Sequence, residues 1–295
     1  MSTPATNGTT RVLVTGAGGQ VGAATVVAFG ANGRREVRGA THAQLDIADR
    51  DQVEQVVAEL VPDAIVNCAA MTDVDRCERE PDVAFAINAT GARHLAVAAR
   101  RAGAHLVHVS TDYVFDGTAG RPYDEWDAVR PISEYGRSKL GGELEVARHA
   151  GSWTIARTAW VFGRSGHDFV QLVLDAAADR DRGIRFVDDQ TGSPTYAPDL
   201  AAMLVRLAVE RREGIFHVAN AGRCTRYELA RDVLELAGLD PSIAQPTTTD
   251  VLNRPAPRPR FTALDQVALR HCGLPTLRHY REALAAYLSR AGAAI

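Results

Sequence analysis

A short β-branched run, Arg11-Val-Leu-Val-Thr15, leads directly into Gly16-Ala-Gly-Gly-Gln-Val-Gly22, and an apolar helical pattern then runs from Val21 to about Ala31. Strand, glycine turn and helix in that order leave few options. Gly16 permits a tight turn, Gly19 lets the backbone come close to phosphates, and Gly22 lets the helix pack on the strand. This is what a pyrophosphate site needs. The spacing is Gly-x-x-Gly-x-x-Gly rather than Gly-x-Gly-x-x-Gly. A flexible glycine loop is the competing reading, and the position straight after a strand speaks against it.

The alternation continues. Val37 to Ala40 reads as a second strand, Asp51 to Leu60 as a helix, and Ala64 to Cys68 as a third strand. Pro81 to Arg101 reads as one long amphipathic helix, Ala104 to Val109 as a fourth strand, Ile132 to His149 as a helix and Thr154 to Thr158 as a fifth strand. Strands alternating with helices predict an α/β fold built on a right-handed, doubly wound parallel sheet of the Rossmann type.

Beyond Gly163 the pattern loosens. Helices are expected over Phe169 to Asp179, Pro198 to Arg211, Tyr227 to Ala237 and Leu277 to Arg290, and strands over Ile184 to Val187 and Gly214 to Val218. A chain of 295 residues exceeds what one core usually serves. The expectation is a dinucleotide-binding domain over 10–163, with 198–220 returning to it, and a smaller α/β substrate lobe from 164–197 and 221–295. In Arg254-Pro-Ala-Pro-Arg-Pro-Arg260 the prolines forbid helix or central strand. Its arginines either face an anionic group or belong to a stiff surface connector.

Composition narrows the partners. A formal net charge of -3 argues against nucleic-acid or membrane-surface binding. No apolar run reaches a membrane span. Met1 to Thr10 is small and polar, without the apolar core of a signal peptide, and reads as a loose tail. Cys68, Cys77, Cys224 and Cys272 are scattered, which disfavours a disulfide framework or zinc site and suits a reducing cytoplasm. His105 and His108 read as packing residues of their strand.

Three segments fall at the carboxyl ends of strands, the edge where open α/β sheets bind ligands: Ala69 to Thr72, Ser110 to Gly117 and Ala159 to Gly163. Close by in sequence comes Tyr135-Gly136-Arg137-Ser138-Lys139. Tyrosine and lysine four apart share one helix face. An ammonium about 4 Å from a phenolate, at an effective dielectric near 20, is worth roughly 4 kcal/mol. That is enough to bring a phenol pKa from about 10 towards neutrality before burial opposes it, making Tyr135 a proton donor. A surface ion pair is the bland alternative, and a nicotinamide cofactor with a carbonyl substrate would decide for the chemical one.

The second strand ends Ala40-Thr41-His42, without the acid that usually holds the adenosine ribose hydroxyls. Arg38 and His42 lie nearby and can tolerate a 2′-phosphate. Asp46 either sits beside an adenine or caps the helix that follows Asp49.

With these residues in view, the chain resembles the extended short-chain dehydrogenase/reductase superfamily, and within it the dTDP-4-dehydrorhamnose reductase family. The matching segments are Gly16 to Gly22, Leu45-Asp46, Asn67 to Asp75, Ser110 to Gly117, Tyr135 to Lys139, Arg157 to Gly163 and Val187 to Thr195. They keep family order over nearly the whole chain. The resemblance implies that NADPH or NADH reduces the C4 keto group of dTDP-4-dehydro-β-L-rhamnose. It implies that Tyr135 protonates the alkoxide, that Lys139 holds the nicotinamide ribose and lowers the phenol pKa, and that Thr111 places a hydroxyl beside the carbonyl. Asp112 and Trp160 match positions that contact the sugar. Gln20, Val21 and Gly22 match the pyrophosphate turn, Asp46 and Ile47 the adenine side, and Ala70, Met71 and Thr72 the segment under the nicotinamide ribose.

The missing acid at Thr41 departs from the pattern and leans the cofactor towards NADPH. Some relatives dimerise through carboxylate-bound magnesium. No acid cluster here is assignable to that role, so monomer and homodimer both stand, with no metal ligand named. Two alternatives remain in view: a reductase of another dTDP-4-keto-6-deoxy sugar, as in the dihydrostreptose branch, and a non-catalytic cofactor-binding regulatory subunit.

Overall fold

The computed structural model describes residues 10–31, 33, 35–164, 168–178 and 184–292. Its centre is a six-stranded sheet, every adjacent pair parallel. The strands are β1 (Thr10–Thr15), β2 (Arg35–Ala40), β3 (Ala64–Asn67), β4 (His105–Thr111), β5 (Trp153–Thr158) and, from far along the chain, β10 (Gly214–His217). The spatial order is β10-β5-β4-β3-β1-β2. From β1 the chain steps outward to β2, then crosses to β3 on the other side, so the winding reverses between β1 and β3. At such a switch point the loops beyond the strand ends splay apart and leave a crevice.

Strand alternation decides which helices cover which face. Val12, Val14, Val66 and Val107 pack on one face against Phe29 of α1 (Gln20–Gly30) and against Leu200, Leu204 and Leu207 of α8 (Ala197–Val209). Leu13, Ile65, Leu106 and Ile155 pack on the other against Val53 and Val57 of α2 (Arg50–Leu60) and Leu95 and Ala99 of α5 (Gly91–Ala102). Leu13, Ile65 and Leu106 sit in register across three strands and are fully buried. Each such side chain contributes roughly 1.5–3 kcal/mol as an upper estimate.

A further core forms from Phe162, Val170 and Val173 of α7 (Phe169–Ala178), Leu229 and Val233 of α9 (Arg226–Leu236), and Leu284 and Tyr287 of α12 (Tyr280–Gly292). Short two-stranded sheets frame it. β7 (Ile184–Val187) pairs in parallel with β12 (Ala244–Thr247), β8 (Thr191–Gly192) runs antiparallel to β11 (Cys224–Thr225), and β6 (Val161–Phe162) pairs with β9 (Thr195–Tyr196).

Several boundaries differ from those expected. Thr10 is no tail residue but the first of β1, paired with Arg35; the rest of the expected tail lies outside the described residues, as does Asp179. The helix expected to run unbroken from Pro81 to Arg101 is interrupted: α4 (Pro81–Phe85) gives way to a π-turn over Ala86–Thr90 before α5 resumes. A short α3 (Val74–Arg79), capped by the Asp73 carboxylate on the Arg76 N–H, precedes it. The helix α6 (Glu134–His149) begins two residues later than expected, because the Ser133 hydroxyl accepts the Gly136 N–H and fixes the cap there. Helix α2 is capped by Asp49, which accepts the N–H groups of Asp51 and Gln52, so the capping alternative for Asp46 falls away. The proline-arginine segment does face an anion: Arg258 and Arg254 reach the carboxylate of Asp75 on α3 at 2.7 and 3.1 Å.

Candidate active site

The glycine turn is built for close approach. Gly16 has φ +66, and the Gly19 N–H closes the turn on the Gly16 carbonyl at 3.0 Å. A Cβ on Gly22 would stand 2.1 Å from that same carbonyl oxygen, so only glycine lets α1 start this near the end of β1. Gly19 precedes the helix with no side-chain cap, leaving the first backbone N–H groups of α1 available to an anion.

Those N–H groups border a cavity of about 550 Å³ at the carboxyl ends of β1, β3, β4 and β5. Gly19, Gln20, Val21 and Gly22 line it from the turn, and Ala70 and Thr72 from the loop after β3. Thr111 and Asp112 enter from the end of β4, Tyr135 and Lys139 from α6, and Trp160 from the end of β5. Gly16 supports the turn from below. Met71 is buried and not part of the lining, and Asp46 and Ile47 also lie outside it, on the loop that leads into α2. Ile47 gives its carbonyl to His94, and Asp46 accepts the Ala48 N–H in its own turn.

On α6 the face Tyr135, Ser138, Lys139, Gly142, Glu143 and Val146 is buried, the 3-4 spacing that turns one stripe inward. The Thr111 hydroxyl acts on the phenol of Tyr135, favouring its ionised form. That hydroxyl also donates to Asp112 Oδ1 at 3.0 Å and accepts the Tyr113 N–H. Thr111 therefore caps a turn and faces the tyrosine at once. Lys139 Nζ donates to the Val109 carbonyl at 2.8 Å. The expected lowering of the phenol pKa by the ammonium is not what this arrangement produces. Burial pushes Tyr135 well up, with the Thr111 hydroxyl the main opposing influence. Burial brings Lys139 down to about 8, held partly up by Glu143 and Cys68.

Beneath the site the groups are fixed. Asn88, placed by the π-turn, accepts the Met71 N–H at 2.8 Å and donates to the Met71 carbonyl and the Ser138 hydroxyl. Ser138 in turn donates to the Tyr135 carbonyl. Glu143 takes the Ser110 hydroxyl and a two-pronged pair from Arg157, all buried. His108 and His105 are strand packing groups, bonded to Asn67 and to Ser152 and Thr154.

Asp112 is buried and its second oxygen accepts the Thr262 hydroxyl; burial raises its pKa to about 6 against those hydroxyl bonds. Trp160 holds φ +46, a left-handed conformation costly for a bulky residue, and such strain concentrates at functional sites. Its indole lies against Gly192, where a Cβ would meet the ring at 2.4 Å. Over the ring, 3.6 Å from its centre, lies the guanidinium of Arg226, which also lines the cavity. Sequence reading missed Arg226. Its only local signal is a capping box, Thr225 with Glu228, which reads as an ordinary helix start. Among the described residues no group of three or more His, Cys, Asp and Glu is placed to hold a metal, and no helix is long and apolar enough to cross a membrane.

The sequence matches the family described as RmlD substrate binding domain over residues 10–292. The chain belongs to that family. It is 44% identical over 285 residues to the dTDP-4-dehydrorhamnose reductase of Mycobacterium tuberculosis, spanning 95% of this chain and 92% of that one. It is 42% identical to the dTDP-4-keto-6-deoxy-D-glucose reductase of Streptomyces niveus, spanning 94% and 96%. Its fold superposes on the crystal structure of a dTDP-4-dehydrorhamnose reductase from Bacillus anthracis in complex with NADP, with a TM-score of 0.90, 36% identity and 95% and 99% coverage.

Proposed function

We propose that this protein is an NAD(P)H-dependent oxidoreductase of dTDP-rhamnose biosynthesis, reducing the C4 keto group of dTDP-4-dehydro-β-L-rhamnose to dTDP-β-L-rhamnose. One observation carries this reading. Thr111, Tyr135 and Lys139 converge on the same cavity as a glycine turn too tight for any side chain at Gly22.

The cradle at Gly16, Gly19, Gln20, Val21 and Gly22 suits a diphosphate at the start of α1. Asp46 and Ile47 lie towards an adenine, and Ala70, Met71 and Thr72 towards the nicotinamide ribose. When bound, the dihydronicotinamide supplies hydride. The chain's own groups do the rest. Tyr135, kept neutral by burial, gives its phenolic proton to the oxygen of the reduced carbonyl. The Thr111 hydroxyl holds that oxygen beside the phenol and stabilises its charge as it develops. Lys139, protonated below about pH 8, lends a positive field to the transient phenolate and a donor to a ribose hydroxyl. Asp112 accepts from sugar hydroxyls, and Trp160 offers them an apolar face. We assign 10–163 with 198–220 to a dinucleotide domain and 164–197 with 221–295 to a substrate lobe; the separate core around Phe162, Leu229 and Leu284 supports that division.

NADPH is the better cofactor in this reading. Thr41 bears no acid, and its hydroxyl and N–H are taken by Gln44. The test is incubation with dTDP-4-dehydro-β-L-rhamnose and each cofactor, followed by identification of the sugar. Formation of dTDP-rhamnose supports the reading; oxidation of NADPH without it, or no oxidation, removes it. The Streptomyces niveus relative favours one second reading, reduction of a differently configured dTDP-4-keto-6-deoxy sugar, which the same product analysis separates.

A further inference from the structure

The cavity must accept two anionic ligands if the proposed function holds, and the present inference rests on that reading. A nicotinamide cofactor and a nucleotide sugar each bring a diphosphate. The glycine turn and the start of α1 accommodate one. The other needs a cation from elsewhere. Lys139 is not that cation: its ammonium is buried beside the catalytic groups and bonded to the Val109 carbonyl.

Arg226 is differently placed. It stands at the start of α9, a helix of the core around Leu229 and Leu284, not the core behind the glycine turn. Its guanidinium is half-buried and stacked flat enough on Trp160 to lie 3.6 Å from the ring centre, with Phe169 at 5.1 Å. Among the described residues it has no hydrogen-bond or ion-pair partner. Four other arginines of that part of the chain are ion-paired: Arg254 and Arg258 with Asp75, Arg278 with Asp199, Arg281 with Asp232 and Glu235; Arg223 and Arg231 lie over Phe261 and Tyr227 but do not line the cavity. A guanidinium partly withdrawn from water without an anion gives up hydration that a bound anion can replace. Stacking occupies its face and leaves its edge of N–H donors free, the geometry that binds two phosphate oxygens at once.

We infer that Arg226 anchors the diphosphate of the nucleotide-sugar substrate, using Trp160 as the platform that aims it. Tyr113 and the carboxylate of Asp112 act on Arg226 electrostatically, and neither is bonded to it. A ligand diphosphate therefore competes with no established ion pair.

The test is calorimetric titration of the full chain with NADPH, and of the NADP-saturated chain with thymidine diphosphate and with thymidine. Wild type is compared with Arg226→Gln and with Arg226→Lys, which keeps the charge but loses the planar fork. The expected result is a weakening of thymidine diphosphate binding by about 10- to 100-fold in Arg226→Gln and less in Arg226→Lys. Affinity for thymidine and for NADPH stays unchanged. Unchanged thymidine diphosphate affinity in Arg226→Gln overturns the inference, as does an equal loss for thymidine or NADPH, which marks a general disturbance of the cavity. Failure of wild type to bind thymidine diphosphate at all overturns the substrate reading itself, and the anchor with it.

Discussion

The ammonium of Lys139 donates to the carbonyl oxygen of Val109 at 2.8 Å, while the phenol of Tyr135, one helical turn away, lines the same cavity as the Thr111 hydroxyl. The ammonium that sequence spacing pairs with the phenol thus has a backbone partner, and burial keeps the proton donor a neutral acid. Replacing Tyr135 by Phe removes the phenolic proton that this reading gives to the alkoxide. Loss of about 10²- to 10⁴-fold in kcat is expected, with cofactor affinity retained. Wild-type turnover by Tyr135→Phe would show that the proton comes from elsewhere.

Lys139 also sets an alkaline limit. Burial lowers its pKa to about 8, so it is charged below that pH and neutral above. The positive form is the one that stabilises a transient phenolate, so kcat should fall as pH rises through about 8. Lys139→Arg keeps the charge at every accessible pH. Its rate, lower overall because the guanidinium fits the Val109 carbonyl differently, should lose that alkaline limb. A pH profile of both proteins, measured with saturating substrate, checks this.

Much of this architecture can be read from the chain, and the failures have physical causes. The glycine turn and the strand-helix alternation are local patterns, so β1 through β5 and their helices are legible. The interruption at Ala86–Thr90 is not. Its residues include no glycine or proline to mark a break, and within the π-turn Asn88 bonds Met71 and Ser138, partners distant in sequence. Arg226 is hidden for the same reason: its stacking on Trp160 is a tertiary fact, and its immediate neighbours announce only a helix cap. The lowered phenol pKa expected from the Tyr/Lys spacing counted the ammonium and left out burial, which the fold makes the larger influence.

Asn88 is accordingly a positioning residue. Its amide hydrogen-bonds the loop at Met71 to Ser138, which holds the carbonyl of Tyr135. In Asn88→Ala the Met71 N–H and the Ser138 hydroxyl are left buried with fewer partners. A loss of about 2–3 kcal/mol in stability is expected from groups of that kind. Tyr135 should loosen as well, lowering kcat by about 10-fold or more. Denaturant unfolding and steady-state kinetics on one preparation test both effects; lost stability with intact kcat would confine Asn88 to the fold.

Asp112 makes a prediction about stability. Its pKa is raised to about 6 by burial, above its unfolded value near 3.9. A raised carboxyl means the folded protein binds the proton more tightly than the unfolded chain. The stability this gives is fully present below about pH 4 and is lost as pH rises through about 6. Asp112→Asn keeps the shape and cannot ionise. Its stability relative to wild type should therefore improve by roughly 2–3 kcal/mol between pH 4 and pH 7. Melting temperatures of the two proteins across that range decide it, and a constant difference would mean the carboxyl is not perturbed.

The end of β2 makes a prediction about cofactor choice. Thr41 lies against Gly18, the nearest atom of its side chain 3.5 Å from where a Cβ on that glycine would stand. Its hydroxyl is occupied by Gln44, and Arg38 and His42 are exposed around it, Arg38 in a loose 3.7 Å pair with Glu59. Thr41 itself brings no carboxylate to accept ribose hydroxyls or to repel a 2′-phosphate, so wild type should use NADPH at least as well as NADH. Introducing the missing acid as Thr41→Asp sets a negative charge where a 2′-phosphate would sit. At surface dielectric that repulsion is worth about 1–2 kcal/mol, or roughly 10-fold in kcat/KM. The NADPH value should drop by that factor while the NADH value holds or rises. A strong NADH preference in wild type, or a Thr41→Asp protein whose two values fall together, would show that the adenosine ribose is read by some other part of the loop.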